Sequence, residues 1–571
     1  MSISPSAQSR HGSVKPLRSK LGCKTCKIRR VKCGEEKPNC LRCTSTGRNC
    51  EYQNVICRNY SDSTVSILSN PLSLFPNTVW RERRAFAYYF QFAAESIGGG
   101  LDVDFWRTIV PQVCRSESAI WDAMIAISSL FESPDLCPDL GSLRRGQYSH
   151  ALNQNHQDAL DWYSRAVSAV RQGIERGGVD AFVGLITCVL FICIETLLGG
   201  VQEALRLYGQ GINLIHTLRA QAASGAVGPT KLALLKETLI PIFVRLGAVS
   251  LHSVWALAST LVQETEDVYA PQPEFISLRS ARDAIVILAT EIPLFEGQCE
   301  EYLKKSHRWQ ISEEMMHQRA ALTARLEGWH TAFSNFMKWG LLSSQIGTGA
   351  LLLTYYEMLS VMLAVCMSPS RITTDSCLHN FQNIVEQGAI ALNASARQDG
   401  TLPPFTFELG IGLPLWFTCL RCRQPELRRT ALALLRRTHR IYGLYKRDQG
   451  AALSEVIMTL EEKYAMEMNA AQGMISSSLG VLDSKPISSP SPLMELETKS
   501  SARMLIPQEA RIRPHDVFRP SDGYPPGVTE KDLVKWKRGR GQYFMQFSWN
   551  QYDRSSNTWT MIFDYVPIGF S

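Results

Sequence analysis

Six cysteines fall within a short segment near the start of this 571-residue chain, and they constrain its folding more than any other feature. Their spacing is C-x2-C-x6-C-x6-C-x2-C-x6-C, so the segment consists of two halves with the same internal spacing. Within each C-x2-C step the backbone can turn so that both sulfur atoms reach one metal ion. The pattern predicts that the segment folds around metal, with these ligands: Cys23, Cys26, Cys33, Cys40, Cys43 and Cys50.

The number of thiolates limits which kinds of metal cluster the segment can hold. Two tetrahedral zinc ions need eight ligand positions, which six thiolates supply only if two of them bridge both ions. An iron–sulfur cluster and two separate zinc sites are alternatives. Ferredoxin motifs pack their cysteines more tightly and end in Cys-Pro, and no histidine between residues 12 and 149 is present to complete two independent sites. Because soft sulfur ligands favour zinc, we predict one cluster that shares two zinc ions.

Disulfides are the remaining alternative for these cysteines. The first residues contain no apolar stretch of the kind that marks a secretory signal. Clustered cysteines in a reducing compartment are more often metal ligands than disulfide partners. The sequence therefore favours the metal cluster.

Positive charge is concentrated in the same part of the chain. Residues 1–50 contain 12 Lys and Arg but only 2 Asp and Glu, a formal balance of +10, whereas the whole chain has a net charge of +7. The other residues are therefore slightly acidic as a group. This asymmetry predicts a nucleic-acid or membrane-surface partner for the N-terminal end.

Residues 23–50 resemble the DNA-binding module of the fungal binuclear zinc-cluster transcription factors. The resemblance rests on the six cysteines, on Pro38 in the central loop, on Gly47-Arg48 before the last cysteine and on the basic run Lys27-Ile28-Arg29-Arg30-Val31-Lys32. It implies that Cys23 and Cys40 bridge the two zinc ions. It also implies that the short helix after the second cysteine enters the major groove of double-stranded DNA and reads a CGG-like triplet.

The resemblance places Arg29 and Arg30 at the base-reading positions. A guanidinium can bond to O6 and N7 of guanine at the same time, which is a specific contact. Other cations are expected to contact phosphates and to give salt-dependent affinity. These are Lys20, Lys24, Lys27, Lys32, Arg42 and Arg48. The same cations, with Lys15 and Arg18, also suit a nuclear-import signal and predict a nuclear location.

From residue 80 to about residue 468, apolar residues recur three and four positions apart, which predicts helices. Leu160, Tyr163, Val167, Val170 and Ile174, for example, share one helical face. Segments of this region, such as residues 82–131, 191–218 and 413–417, resemble the middle domain of one branch of the same regulators. The expected fold class is mostly α, with a small N-terminal six-cysteine module, a flexible linker, a large all-α regulatory domain and a short C-terminal β-hairpin.

The domain boundaries follow from composition. We expect a basic flexible arm at 1–20, the zinc cluster at 21–52, a linker at 53–79, the all-α domain at 80–468, a disordered Ser/Pro-rich segment at 469–500 and a tail at 501–571. The hairpin is predicted from residues 542–548 and 558–566. Three apolar stretches approach the length of a membrane span, but polar residues interrupt or close them, so we expect core helices and no membrane partner.

No catalytic motif is readable, and we expect that the chain is not an enzyme. Gly410-Ile411-Gly412 fails as a dinucleotide fingerprint because Pro414 and Leu415 follow it. The functional hypothesis is a nuclear, sequence-specific regulator of RNA polymerase II transcription, with co-regulators as further partners. The alternatives are a zinc- or redox-responsive sensor and an enzyme with an accessory zinc module.

The segment after the cluster does not sustain heptads, and Pro71 and Pro76 interrupt any helix there. A coiled coil next to the cluster is therefore not expected. We predict either a monomer that binds one triplet or a dimer that forms through the helical domain.

Overall fold

The computed structural model contains two compact units, Met1–Pro71 and Leu72–Ser571. It describes residues 23–29, 31–34, 40–48, 50, 79–134, 153–248, 252–263, 274–305, 311–338, 340, 342–368, 371–397, 400–478, 506–520, 523–525, 528–536, 542–553 and 558–569. The expected arm at 1–20, nearly all of the expected linker at 53–79 and the heptad-free segment after the cluster lie outside these residues.

The N-terminal unit contains two short helices, α1 (Lys24–Ile28) and α2 (Leu41–Thr44). Each helix begins directly after the first cysteine of its half, since Cys23 and Cys40 are the N-cap residues. The buried side chains that these helices bring together are themselves cysteines. A segment of this size has too little apolar surface for an ordinary core, so the sulfur cluster takes that place.

The first part of the second unit is helical. Its helices are α3 (Trp80–Tyr88), α4 (Ala94–Gly98), α5 (Val110–Val113), α6 (Ser118–Glu132), α7 (Gln154–Glu175), α8 (Ala181–Leu198), α9 (Val201–Ala223), α10 (Pro229–Leu234), α11 (Ile240–Ala248) and α12 (His252–Gln263). Local sequence sets the ends of α8. The Asp180 carboxylate accepts the backbone N–H groups of Phe182 and Val183 at its start, and Gly199 ends it with a φ of 87°.

The second part continues with α13 (Leu278–Lys305), α14 (Glu313–Lys338), α15 (Ile346–Val365), α16 (Leu378–Ser395), α17 (Gly412–Arg421), α18 (Pro425–Leu435) and α19 (Arg447–Ser478). One apolar core joins residues from α3 to α19. The last helix runs past residue 468, where the sequence suggested that the helical domain ends. The remainder of the expected disordered segment, residues 479–500, lies outside the described residues.

The predicted apolar face of α7 is largely confirmed. Leu160, Tyr163, Val167 and Val170 pack against the core. Ile174 does not, because it lies in the last turn of the helix and 62% of it is exposed. The apolar periodicity of α7 therefore extends one turn beyond the part of the helix that the core covers.

Two helices, α8 and α15, are long and apolar enough to cross a membrane by length and composition alone. Other parts of the chain bury 78% of the apolar window of α8 and 61% of that of α15. Both helices therefore lie inside the helical body that α3 to α19 form, as predicted for core helices.

A small sheet interrupts the region that was expected to be all-α. Its strands are β1 (Phe405–Thr406), β2 (Ile441–Tyr442) and β3 (Tyr445–Lys446), with β1 parallel to β2 and β2 antiparallel to β3. The Tyr442 ring packs on Gly410 and Gly412. A Cβ atom on Gly410 would lie 2.8 Å from Cγ of that ring, so the glycines of this Gly-x-Gly sequence make room for an aromatic side chain.

The C-terminal strands confirm the predicted hairpin and add one strand to it. Strands β5 (Tyr543–Asp553) and β6 (Thr558–Ile568) pair antiparallel along their whole length. Strand β4 (Arg513–Phe518) pairs with the other edge of β5. One face of the sheet, with Met545 and Phe547, packs on Ile457 of α19.

Candidate metal centre and nucleic-acid interface

Four cysteine side chains meet at the centre of the N-terminal unit. Their sulfur atoms all lie within 4.8 Å of one another, and each is fully buried: Cys23, Cys26, Cys40 and Cys43. Four of the S···S distances are between 3.6 and 3.8 Å. Thiolates around a tetrahedral zinc ion with Zn–S bonds of about 2.3 Å are separated by about 3.8 Å. The donor atoms and their spacing therefore fit zinc.

The third cysteine of each half returns to the first cysteine of the same half. The backbone N–H of Cys23 donates to Sγ of Cys33 over 3.4 Å, and the N–H of Cys40 donates to Sγ of Cys50 over 3.3 Å. The two halves thus make the same contact. As a result, all six sulfurs of the sequence pattern lie in one cluster, with Cys33 beside Cys23 and Cys50 beside Cys40.

The positions of Cys23 and Cys40 at helix starts affect their acidity. Burial raises the pKa of the Cys23 thiol, but the backbone N–H of Cys26, 3.3 Å from its sulfur, and the neighbouring thiols together outweigh burial and lower the pKa. For Cys40, burial is likewise outweighed by the backbone N–H of Cys43 and by neighbouring thiols, which lower the pKa to about 6. Helix N-termini stabilise thiolates in this way. The backbone N–H groups at the two helix starts thus favour the thiolate form of the first cysteine of each half.

Basic residues lie between the cysteines of this cluster along the chain. Lys27, Lys32, Arg42 and Arg48 are exposed, and Arg29 is half-buried. Of the other residues singled out by sequence, Lys20 and Arg30 lie outside the described residues. Lys24 is the first residue of α1, and its side chain is not described. The described cations thus belong to both helices and to the chain just after each of them.

Sequence reasoning did not identify Thr46. Its side chain follows α2 and lies 3.2 Å from Nη1 of Arg29, which donates a hydrogen bond to Oγ1. The signal that could have found it is the repeat itself, because Arg29 and Thr46 occupy the same position after the second cysteine of their halves.

The second C-x2-C pair in the chain, Cys419 and Cys422, does not join a metal-binding group among the described residues. Both side chains are buried in the helical body. Burial raises the pKa of Cys419 to about 12, which disfavours the thiolate that metals bind.

Comparisons with known proteins agree with this geometry. Residues 21–63 match the family model described as the fungal Zn(2)-Cys(6) binuclear cluster domain. The chain is 26% identical over 419 residues to the aspercryptin biosynthesis cluster-specific transcription regulator atnN of Emericella nidulans. That alignment covers 65% of this chain and 63% of the relative, so this chain spans less than two thirds of that protein's length.

Two further relatives match shorter parts. The Zn(2)-C6 fungal-type transcription factor afumD of Aspergillus fumigatus is 29% identical over 120 residues, which cover 20% of this chain and 32% of that protein. The transcriptional regulatory protein moc3 of Schizosaccharomyces pombe is 50% identical over 50 residues, or 9% of this chain and 10% of that protein. No solved structure matches this chain significantly. The N-terminal module is therefore similar to the fungal Zn(2)-Cys(6) binuclear cluster domain, and its clustered cysteines are suited to hold zinc.

Proposed function

We propose that this chain is a nuclear, sequence-specific regulator of RNA polymerase II transcription whose zinc cluster reads CGG-like triplets in double-stranded DNA. The observation that carries the proposal is the buried group of cysteine sulfurs at tetrahedral spacing beside a cation-bearing helix. The names of the relatives, all transcription regulators, support it.

The metal ligands we propose are the six cysteines of the cluster, with Cys23 and Cys40 shared between the two ions. The role we propose for zinc is structural: when bound, it would replace the apolar core that so short a segment lacks. The chain supplies the deprotonated sulfurs. The N–H groups at the start of α1 and α2 support the thiolate form of the two shared cysteines.

The DNA contacts we propose divide by type. Arg29 and Arg30 contact base edges, because a guanidinium offers two parallel donors to guanine. Phosphate contacts come from Lys20, Lys24, Lys27, Lys32, Arg42 and Arg48, which set the position of the module on the duplex and make its affinity fall with salt.

The helical body extends over the expected domain at 80–468. We propose that it has a regulatory role and that it contacts co-regulators or a second copy of the chain. The buried acid Asp102 suits structure rather than acid–base catalysis. It is buried against Arg245 and Arg282, and its pKa is lowered to about 2. A general acid or base needs a pKa near the working pH.

The test is a binding assay with the zinc-loaded full chain. Affinity for a duplex with one CGG triplet is compared with affinity for duplexes in which each of the three base pairs is replaced in turn. We expect each replacement to weaken binding by about fivefold to a hundredfold. Equal affinity for all duplexes would contradict the proposal, and protein stripped of zinc serves as the control.

A further inference from the structure

The two halves of the zinc module contact each other through equivalent residues. An offset of 17 residues relates Cys23 to Cys40, Cys26 to Cys43 and Arg29 to Thr46. The contact distances are 3.7 Å, 3.8 Å and 3.2 Å in that order. Arg29 and Thr46 thus continue the contact between the halves beyond the sulfur cluster.

The halves have similar backbones but different charge. After its second cysteine, the first half contains Lys27, Arg29, Arg30 and Lys32, whereas Arg48 is the one cation in the matching stretch of the second half. The second half therefore contributes uncharged side chains at positions where the first half contributes cations. Thr46 is one of them.

The hydroxyl of Thr46 is arranged to accept a bond from Arg29. It has one proton, and its nearest carbonyl acceptor is that of Arg42 at 2.8 Å, with the carbonyl of Cys43 at 3.2 Å. A lone pair is then left for Nη1 of Arg29. The result is a short chain of hydrogen bonds that ends on the backbone of α2.

This bond leaves the useful edge of the guanidinium open. Nη1 lies on the Cδ side of the group, so the opposite edge, formed by Nε and Nη2, does not take part. Among the described residues, the only hydrogen bond of the Arg29 side chain is the one to Thr46. Two parallel N–H groups on one edge are what a guanine accepts at O6 and N7.

We propose that Thr46 is a positioning residue for DNA reading: it holds the guanidinium of Arg29 on α2 so that its Nε/Nη2 edge is ordered before DNA arrives. This inference rests on the proposed function and names a specificity residue in the half of the module that has few cations. Ordering a long side chain in advance lowers the cost of forming its contact.

The experiment uses the zinc-loaded full chain and a pool of random duplexes from which each protein selects its preferred site. Specificity is the ratio of affinities for the selected duplex and for random duplex at one salt concentration. For Thr46→Val we expect the ratio to fall by about threefold to tenfold, the range of one net hydrogen bond. Thr46→Ser, which keeps the hydroxyl, should retain the original ratio, and so should the matched control Ser45→Ala.

Arg29→Ala combined with Thr46→Val should lose no more specificity than Arg29→Ala alone, because the two residues act as one unit. Zinc content is measured for every variant, and Thr46→Ala replaces Thr46→Val if the latter does not hold two ions.

Unchanged specificity in the Thr46 variants, or additive losses in the double variant, would overturn the inference while leaving DNA binding intact. A selected site without a CGG-like triplet would instead overturn the proposed target, and the Thr46 comparison would still decide the inference on that site. A chain with no preferred site would overturn both.

Discussion

Asp102 is a buried acid surrounded by arginines of the helical body. Its carboxylate pairs with Arg245 of α11 and with Arg279 and Arg282 of α13. Arg282 also pairs with Glu408, over 2.6 Å. Burial raises the pKa of Asp102, but Arg245 and Arg282 outweigh it and lower the pKa to about 2. The side chain is therefore ionised at neutral pH and joins the segment after α4 to two helices.

Replacing Asp102 by Asn should destabilise the helical body by about 3–5 kcal/mol at neutral pH, since it leaves the buried guanidinium groups without one of their charged partners. The depressed pKa means that this stabilisation is fully present above about pH 4 and is lost as the pH falls toward 2. The difference in the free energy of unfolding between the variant and the original protein should therefore become smaller as the pH falls from about 4 toward 2. Urea denaturation at several pH values measures it.

The control for this variant is Asp104→Asn, because Asp104 is exposed and lies two residues away. It should change stability little. A difference between Asp102→Asn and the original protein that stays constant from pH 5 to about pH 2 would contradict the assigned role.

At the DNA surface, Arg30→Ala and Lys20→Ala are expected to act differently. Losing Arg30, the guanidinium proposed to read bases, should relax the preference for the triplet by about 1–3 kcal/mol. Losing a phosphate-contacting ammonium should weaken binding to all sequences alike and reduce the slope of affinity against salt. Titrations of both variants at several salt concentrations would show the difference, and identical effects would reject the division into two types of contact.

The sequence was sufficient to predict that the six sulfurs cluster, because their chemistry is local and their spacing is repeated. It did not predict the contact of Thr46 with Arg29, which depends on how the two halves of the module meet. The exposure of Ile174 also escaped prediction, because a periodic pattern does not tell where a neighbouring element stops covering a helix.

At the scale of elements, Glu461 of α19 joins three segments. Its carboxylate accepts hydrogen bonds from Arg423 over 2.9 Å and from Arg428 over 2.8 Å. It also accepts the backbone N–H of Ile512, just before β4, over 3.0 Å. The carboxylate is fully buried, so each of these bonds lies away from water. Glu461 thereby attaches the C-terminal sheet to the end of the helical body.

Glu461→Gln should destabilise the second unit by about 3–5 kcal/mol, as expected when one partner of a buried ion pair is removed. Burial already lowers the pKa of Arg423 to about 9, and Glu461 opposes that effect. The neighbouring Glu462→Gln is the matched control, because Glu462 pairs with a half-exposed Arg429. Thermal unfolding of both variants checks this, and equal melting temperatures would refute it.

The strands show which elements a sequence can predict. Hairpin strands β5 and β6 have runs of aromatic and β-branched residues on either side of a polar segment of the sequence, which are local signals. Strand β4 contains a proline, Pro514, and has a charged residue on each side of a register shift, Arg513 before it and Asp516 after it. Its sequence does not resemble a strand, and it forms one because β5 pairs with it. Strands β1 to β3 have two residues each, too few for any periodicity.

For the whole molecule, the two compact units predict separate responses to loss of zinc. A strong chelator should unfold the N-terminal unit, because its core consists of metal ligands. The helices of that unit have five and four residues, whereas α19 alone has 32. DNA binding should therefore disappear while the far-ultraviolet circular dichroism signal changes only slightly. A large loss of helical signal on chelation would show that the second unit also depends on zinc.

The buried junction at Glu461 also bears on how deletion experiments are interpreted. A shortened protein that stops at the end of α19 lacks β4, and with it the backbone N–H that Glu461 binds and the sheet that covers Ile457. Such a protein would expose apolar surface and part of an ion-pair network to water. If removing the tail changed gene expression, the cause would then be a damaged fold. The same change could be misread as evidence that the tail carries a separate activation or repression signal.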